Sequence, residues 1–122
     1  TVTAGGYHTC GLGPGGTAHC WGENSIGQVG DGTTTGRTSP VPVSTTATFA
    51  TMAAEDHTCA VTTNGAPYCW GLNQSGQLGD ETFKDRWSPE PVSGGLTLAA
   101  VTTGFDHACG VLLGWERRGP AG

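Results

Sequence analysis

The chain has 122 residues, of which only 12% are charged, against roughly 25% in an ordinary globular domain. Five Lys and Arg face ten Asp and Glu, a net charge of −5, which leaves no basic stripe for a nucleic-acid backbone. No apolar run reaches the ~18 residues of a membrane helix, so neither nucleic acid nor membrane is expected as a partner.

The 22 Gly and 7 Pro favour short strands and tight turns over long helices, and the elements follow in that style. His8-Thr9-Cys10 opens a strand, Gly13-Pro14-Gly15-Gly16 turns it, and Cys20-Trp21-Gly22 returns. A polar loop, Asn24-Ser25-Ile26-Gly27-Gln28, leads through Val29-Gly30-Asp31 to a proline-marked edge strand, Ser39-Pro40-Val41-Pro42-Val43. A short strand from Phe49 to Ala53 then feeds His57-Thr58-Cys59, and the series begins again. Asn64-Gly65 is the second turn, Cys69-Trp70-Gly71 the second return, and Asn73-Gln74-Ser75-Gly76-Gln77 the second loop. Ser88-Pro89-Glu90-Pro91-Val92 repeats the edge, Leu98 to Thr102 repeats the feeder strand, and His107-Ala108-Cys109 starts a third round.

The block Cys20–Asp31 returns as Cys69–Asp80 at a constant offset of 49. Similarity at a fixed period marks stacked units that cannot bury their apolar faces singly, and about four short strands per ~50 residues is the size of a propeller blade. The expectation is an all-β fold of β-propeller blades, each of four short antiparallel strands. Units are expected at 1–53 and 54–103, with a partial third at 104–122 whose stretch Gly110–Pro120 abandons the pattern. Two units and a fraction are too few to close a ring, so ring closure by a homo-oligomer is expected.

Cys10 and Cys20 stand ten apart about one turn, as do Cys59 and Cys69 about the other. Residues placed symmetrically about a hairpin turn lie opposite each other, at a separation that suits a disulfide. Unpaired buried thiols and a metal site using His8, Cys10, His19 and Cys20 are the competing readings. The two-to-four-residue spacing of metal knuckles is absent. Disulfides imply an oxidising compartment, hence a secreted or periplasmic protein. No signal peptide is in view and the chain opens at Thr1, which reads as a processed form or a fragment. Cys109 is expected to be unpaired within the chain, because Gly119 stands where its partner would fall; it is then a free thiol or pairs between chains.

Taken together, the His-Thr-Cys strands, the Trp-Gly-x-Asn-x-x-Gly-Gln-Val/Leu-Gly blocks and the Pro-x-Val segments resemble the regulator-of-chromosome-condensation repeat family over about residues 4 to 110. The paired cysteines are similar to bacterial, exported versions of that repeat. The resemblance implies a β-propeller, usually of seven blades. Its members range from nucleotide exchange on a small GTPase to ultraviolet sensing and inhibition of β-lactamases, so it implies no single chemistry.

The sharpest chemical candidate is the recurring histidine. His8, His57 and His107 would lie on a ring about a propeller axis, with Glu55, Asp56 and Asp106 beside them. His8, His57, His107 and Asp106 are candidate ligands for a divalent metal such as zinc; His57, Asp56 and Glu55 are candidate catalytic residues of a metal-assisted hydrolase acting on esters or phosphoesters. The bland alternative is a structural histidine bonded to neighbouring backbone, its role in the resembling family. Trp21 and Trp70 read as blade packing, whereas Phe83 and Trp87 lie in a variable excursion and are candidate partner-binding residues. Asn73-Gln74-Ser75 is a glycosylation sequon, but the first unit lacks it and the shared Asn reads as a loop-shaping residue. The leading function is a module that self-assembles and presents loops to a protein or glycan partner; the alternative is the metal-dependent hydrolase.

Overall fold

The computed structural model describes residues 2–94, 97–103 and 108–112. The described residues form ten strands in three antiparallel sheets. β1 (Val2–Ala4), β2 (His8–Leu12), β3 (Ala18–Gly22) and β4 (Arg37–Pro42) pair in chain order as the first sheet. β5 (Phe49–Ala54), β6 (His57–Thr62), β7 (Pro67–Gly71) and β8 (Arg86–Pro91) form the second in the same order. β9 (Leu98–Thr103) and β10 (Ala108–Leu112) form a two-stranded third.

Each sheet is a meander, its strands neighbours in chain order and all pairings antiparallel; the β2–β3 and β6–β7 connections are tight hairpin turns. The register of β2 on β3 places Cys10 opposite Cys20, and that of β6 on β7 places Cys59 opposite Cys69. Both pairs are disulfides and all four cysteines are buried. Closing loops of this length stabilises by roughly 3 kcal/mol each in the chain-entropy account. Prolines sit in the outermost strands, Pro40 and Pro42 in β4 and Pro89 and Pro91 in β8. A residue without an N–H belongs on an edge, and it blunts that edge against further pairing.

Sequence repeat and sheet are out of phase by one strand. All but the last residue of β5 lies within residues 1–53, yet it pairs with β6 across the Glu55-Asp56 turn, so the second sheet runs from Phe49 to Pro91. This offset ties the units together. Phe49 N–H donates to the Gly16 carbonyl at 2.8 Å, and Leu98 N–H donates to the Gly65 carbonyl at 2.7 Å, so each feeder strand is pinned to the hairpin turn of the unit before it.

The loop after each Trp-Gly strand is organised around one buried asparagine. Asn24 Oδ1 accepts from Val29 N–H, while Nδ2 donates to the carbonyls of Thr33 and Thr35. Asn73 does the same with Leu78, Thr82 and Lys84. Both asparagines are fully buried, so the sequon at Asn73 turns its amide into the loop and away from solvent. Asp31 and Asp80 close the excursions through Arg37 at 2.6 Å and Arg86 at 2.7 Å. Burial works against ionisation of Asp80, but hydrogen bonds from Thr82 and Arg86 prevail and hold it down to about 2; Asp31 is lowered in the same way by Thr33 and Arg37.

One position breaks the match between units. The excursion turns at Gly32 with φ 83° in the first unit and at Glu81 with φ 67° in the second. A side chain in that left-handed region costs about 1–2 kcal/mol. Glu81→Gly is therefore expected to stabilise the chain by about 1 kcal/mol, read as a raised urea midpoint at unchanged slope.

Candidate functional site: the joint between the units

The first and second sheets meet in one apolar cluster. Cys10, Ala18, Cys20, Val29 and Val43 come from the first sheet and the loops that follow its strands, and Phe49, Met52, Ala60 and Trp70 from the second sheet. Trp70 is fully buried, packs 6.2 Å from the Phe49 ring and lies against Gly30. A Cβ at Gly30 would stand 2.5 Å from the indole nitrogen, and its φ of 78° independently favours glycine.

A polar chain crosses this joint. The Trp70 indole N–H donates to the Gln28 carbonyl at 2.9 Å, and the Thr58 hydroxyl donates to the same carbonyl at 3.0 Å. Since that hydroxyl spends its single proton on Gln28, Thr58 Oγ1 accepts from His8, whose Nε2 lies 2.7 Å away. His8 is therefore the Nε2–H tautomer, with Nδ1 a buried acceptor that has no hydrogen-bond partner among the described residues. Its pKa falls to about 4, chiefly because burial penalises the charged ring; Asp56 opposes the shift and His57 adds to it.

The sequence-derived residues divide around this joint. His8 and His57 are both buried, and Glu55 and Asp56 form the half-buried turn between β5 and β6. The Glu55 carbonyl accepts from Gly6 N–H at 3.4 Å, and the Asp56 carbonyl accepts from Leu72 N–H at 3.2 Å. Asp106 and His107 lie outside the described residues, and of Cys109 only the backbone is described, opposite Thr102 in β10. Among the described residues, no group of three or more His, Cys, Asp or Glu is placed to hold a metal. Phe83 is exposed and lies against Gly76. Trp87 is half exposed; its ring meets Gly27 of the first unit, and its carbonyl accepts from Gly32 N–H at 2.8 Å. It therefore serves the joint as well as offering a free face.

Sequence reasoning missed Thr58 and the Gln28 carbonyl. The repeat shows that Trp-Gly and Gly-Gln-Val/Leu-Gly recur together, but it does not show that the tryptophan of one unit seats on the loop of the unit before. At the hairpin-turn end of the joint lie two open grooves. One, of about 510 Å³, is lined by Leu12, Pro14, Phe49 and Thr63; the other, of about 410 Å³, by Thr46, Thr48, Asn64 and Tyr68. Neither is lined by a charged side chain.

Four-stranded meanders stacked face to face, each pinning the next through its feeder strand, define an all-β repeat protein built of β-propeller blades. The profile of the regulator of chromosome condensation (RCC1) repeat matches residues 1–28 and 55–77. Over those two stretches the chain carries the sequence signature of this repeat. No curated protein matches it. Human WBSCR16 superposes with a TM-score of 0.83 at 21% identity, over 90% of this chain and 29% of that one. Yeast RCC1 (Prp20), in its complex with Kap60, gives 0.81 at 22% identity, over 95% and 30%. Prp20p from Saccharomyces cerevisiae, in a structure titled also for its binding to Gsp1p and histones, gives 0.78 at 20%, over 95% and 32%. The chain thus spans about three tenths of the length of these structures.

Proposed function

We propose that the chain is a β-propeller repeat module that assembles with further copies of itself and binds a partner, foremost a protein, in an oxidising compartment of the secreted or periplasmic kind. The observation that carries this reading is the joint. Two units dock through a buried apolar cluster and a polar chain, an interface that any further unit of the repeat can extend. The two buried disulfides fit the oxidising compartment. A protein partner agrees with the similar yeast protein, whose structures concern Kap60, Gsp1p and histones. A neutral glycan is the other class that suits the uncharged, threonine-lined grooves.

Solution mass is the first test. Sedimentation is expected to give a mass that rises with concentration above the 12.4 kDa of one chain; a fixed mass of one chain would overturn the assembly reading. Elemental analysis is expected to find no stoichiometric zinc, and His57→Ala to leave assembly in place. Stoichiometric metal, with ester or phosphoester turnover that His57→Ala abolishes, would instead establish the metal-dependent hydrolase.

A further inference from the structure

At the hairpin-turn end of the joint the second unit departs from the first, and the departures fall on one groove. At repeat spacing, Thr62-Thr63-Asn64 stand where the first turn has Gly13-Pro14-Gly15, and Tyr68 stands where it has His19. The first unit forms the same four-stranded sheet without these side chains, so the blade itself does not call for them. They line the groove of about 410 Å³ together with Thr46-Ala47-Thr48, the segment that leads from the first sheet into the second. Its walls all lie within residues 46–68, and Thr63 N–H donates to the Thr48 carbonyl at 3.3 Å, tying that segment to the turn.

The polar groups of the groove are positioned in advance. The Thr62 hydroxyl donates to Asn64 Oδ1 at 2.6 Å and accepts from Ala66 N–H at 2.9 Å, which fixes the carbonyl side of the Asn64 amide. Asn64 is exposed, and its Nδ2 keeps both protons for a ligand. Among the described residues, the hydroxyls of Thr46, Thr48, Thr63 and Tyr68 make no hydrogen bond to the protein. The Tyr68 ring is braced by Phe49, with centroids 6.1 Å apart and planes at 71°, so binding has little side-chain freedom left to remove.

This lining selects among ligands. No charged side chain faces the groove, so an ionic ligand would give up water without meeting a counter-charge. An extended peptide finds no open ladder, because β6 and β7 are each paired on both sides. A sugar ring carries hydroxyls around an apolar C–H face, which suits free amide and hydroxyl groups set beside an aromatic ring. The volume also falls within the roughly 300–1,000 Å³ of small-molecule sites.

Resting on the glycan alternative above, we propose that this groove holds a neutral sugar residue, with Asn64 and Tyr68 as its anchors. Asn64 Nδ2 donates to a sugar oxygen, the threonine hydroxyls exchange hydrogen bonds with the ring's hydroxyls, and the Tyr68 ring takes the C–H face.

The test titrates maltotriose, cellotriose, mannotriose and chitotriose into the chain by calorimetry, with trigalacturonic acid as the charged control. At least one neutral trisaccharide is expected to bind, the uronate is not, and the Asn64 side-chain amide signals are expected to shift during the titration. Asn64→Gly with Tyr68→His installs the residues that the first unit uses at these positions, and cooperative urea unfolding checks that the variant folds. It is expected to bind the same trisaccharide at least tenfold more weakly. Equal affinity in the folded variant, or an Asn64 amide that does not move, would put the sugar elsewhere while the glycan reading stands. If no neutral trisaccharide binds the parent chain, this site and the glycan reading fall together. A uronate bound as tightly as the neutral sugars would overturn the assignment to an uncharged ligand.

Discussion

Trp70→Ala is expected to cost about 3–5 kcal/mol, enough to unfold the joint between the first two units. The side chain is fully buried between the sheets, and its removal leaves a cavity bounded by Gly30, which has no side chain to relax into it. The Gln28 carbonyl also loses one of its two donors. Trp70→Phe separates these contributions. It keeps most of the apolar contact with Phe49, and because Thr58 still caps the carbonyl it is expected to cost only about 1–2 kcal/mol. Trp21→Ala is the internal control: the same residue in the same motif, half-buried on an open flank, is expected to cost under half as much as Trp70→Ala in dilute solution. Urea unfolding of the three variants checks this ranking. Equal losses at Trp21 and Trp70 would mean that the tryptophan stabilises its own sheet and not the joint.

That contrast marks where the sequence is legible. Two four-stranded blades, the turn positions and both disulfides follow from the repeat and the ten-residue cysteine spacing, because hairpin register is a local property. The loop role of Asn73 follows too, since the first unit keeps the Asn without the sequon, and the hydrogen bonds of Asn24 and Asn73 are the same. Which unit a side chain serves is a different question. Trp87 reads as a free aromatic in a variable stretch, yet its ring packs on Gly27, some 60 residues earlier, through a contact set by blade stacking and invisible to local pattern. His8 and His57 invite a chemical reading because histidine near Asp and Glu suits metal and proton chemistry. In the fold, His8 directs Nε2 across the joint to Thr58, and that geometry has no trace in a single sequence.

Acid should loosen the joint before it reaches the carboxylates. His8 is neutral in the fold, with its pKa lowered to about 4 first by burial and then by His57, against the opposing field of Asp56. In the unfolded chain the same ring titrates near 6.5, so between these values the unfolded state binds more protons. The stability that His8 contributes is therefore complete above pH ~6.5 and is lost as pH falls to about 4, a loss of roughly 3 kcal/mol. Asp80, held down to about 2, acts in a lower window and loses its contribution only as pH drops below the usual carboxylate range. Urea midpoints between pH 7.5 and 4.5 are expected to decline, and His8→Gln, which keeps a donor for Thr58, is expected to flatten that decline while lowering stability at pH 7.5. Asp56→Asn removes a field that favours the charged ring, so it lowers the pKa of His8 further and carries the loss to more acid pH. A decline that persists unchanged in His8→Gln would place the acid sensitivity in another group. Among the described residues Nδ1 has no hydrogen-bond partner, so a proton gained there leaves a buried donor unpaired and weakens the polar chain that runs from His8 through Thr58 to Gln28.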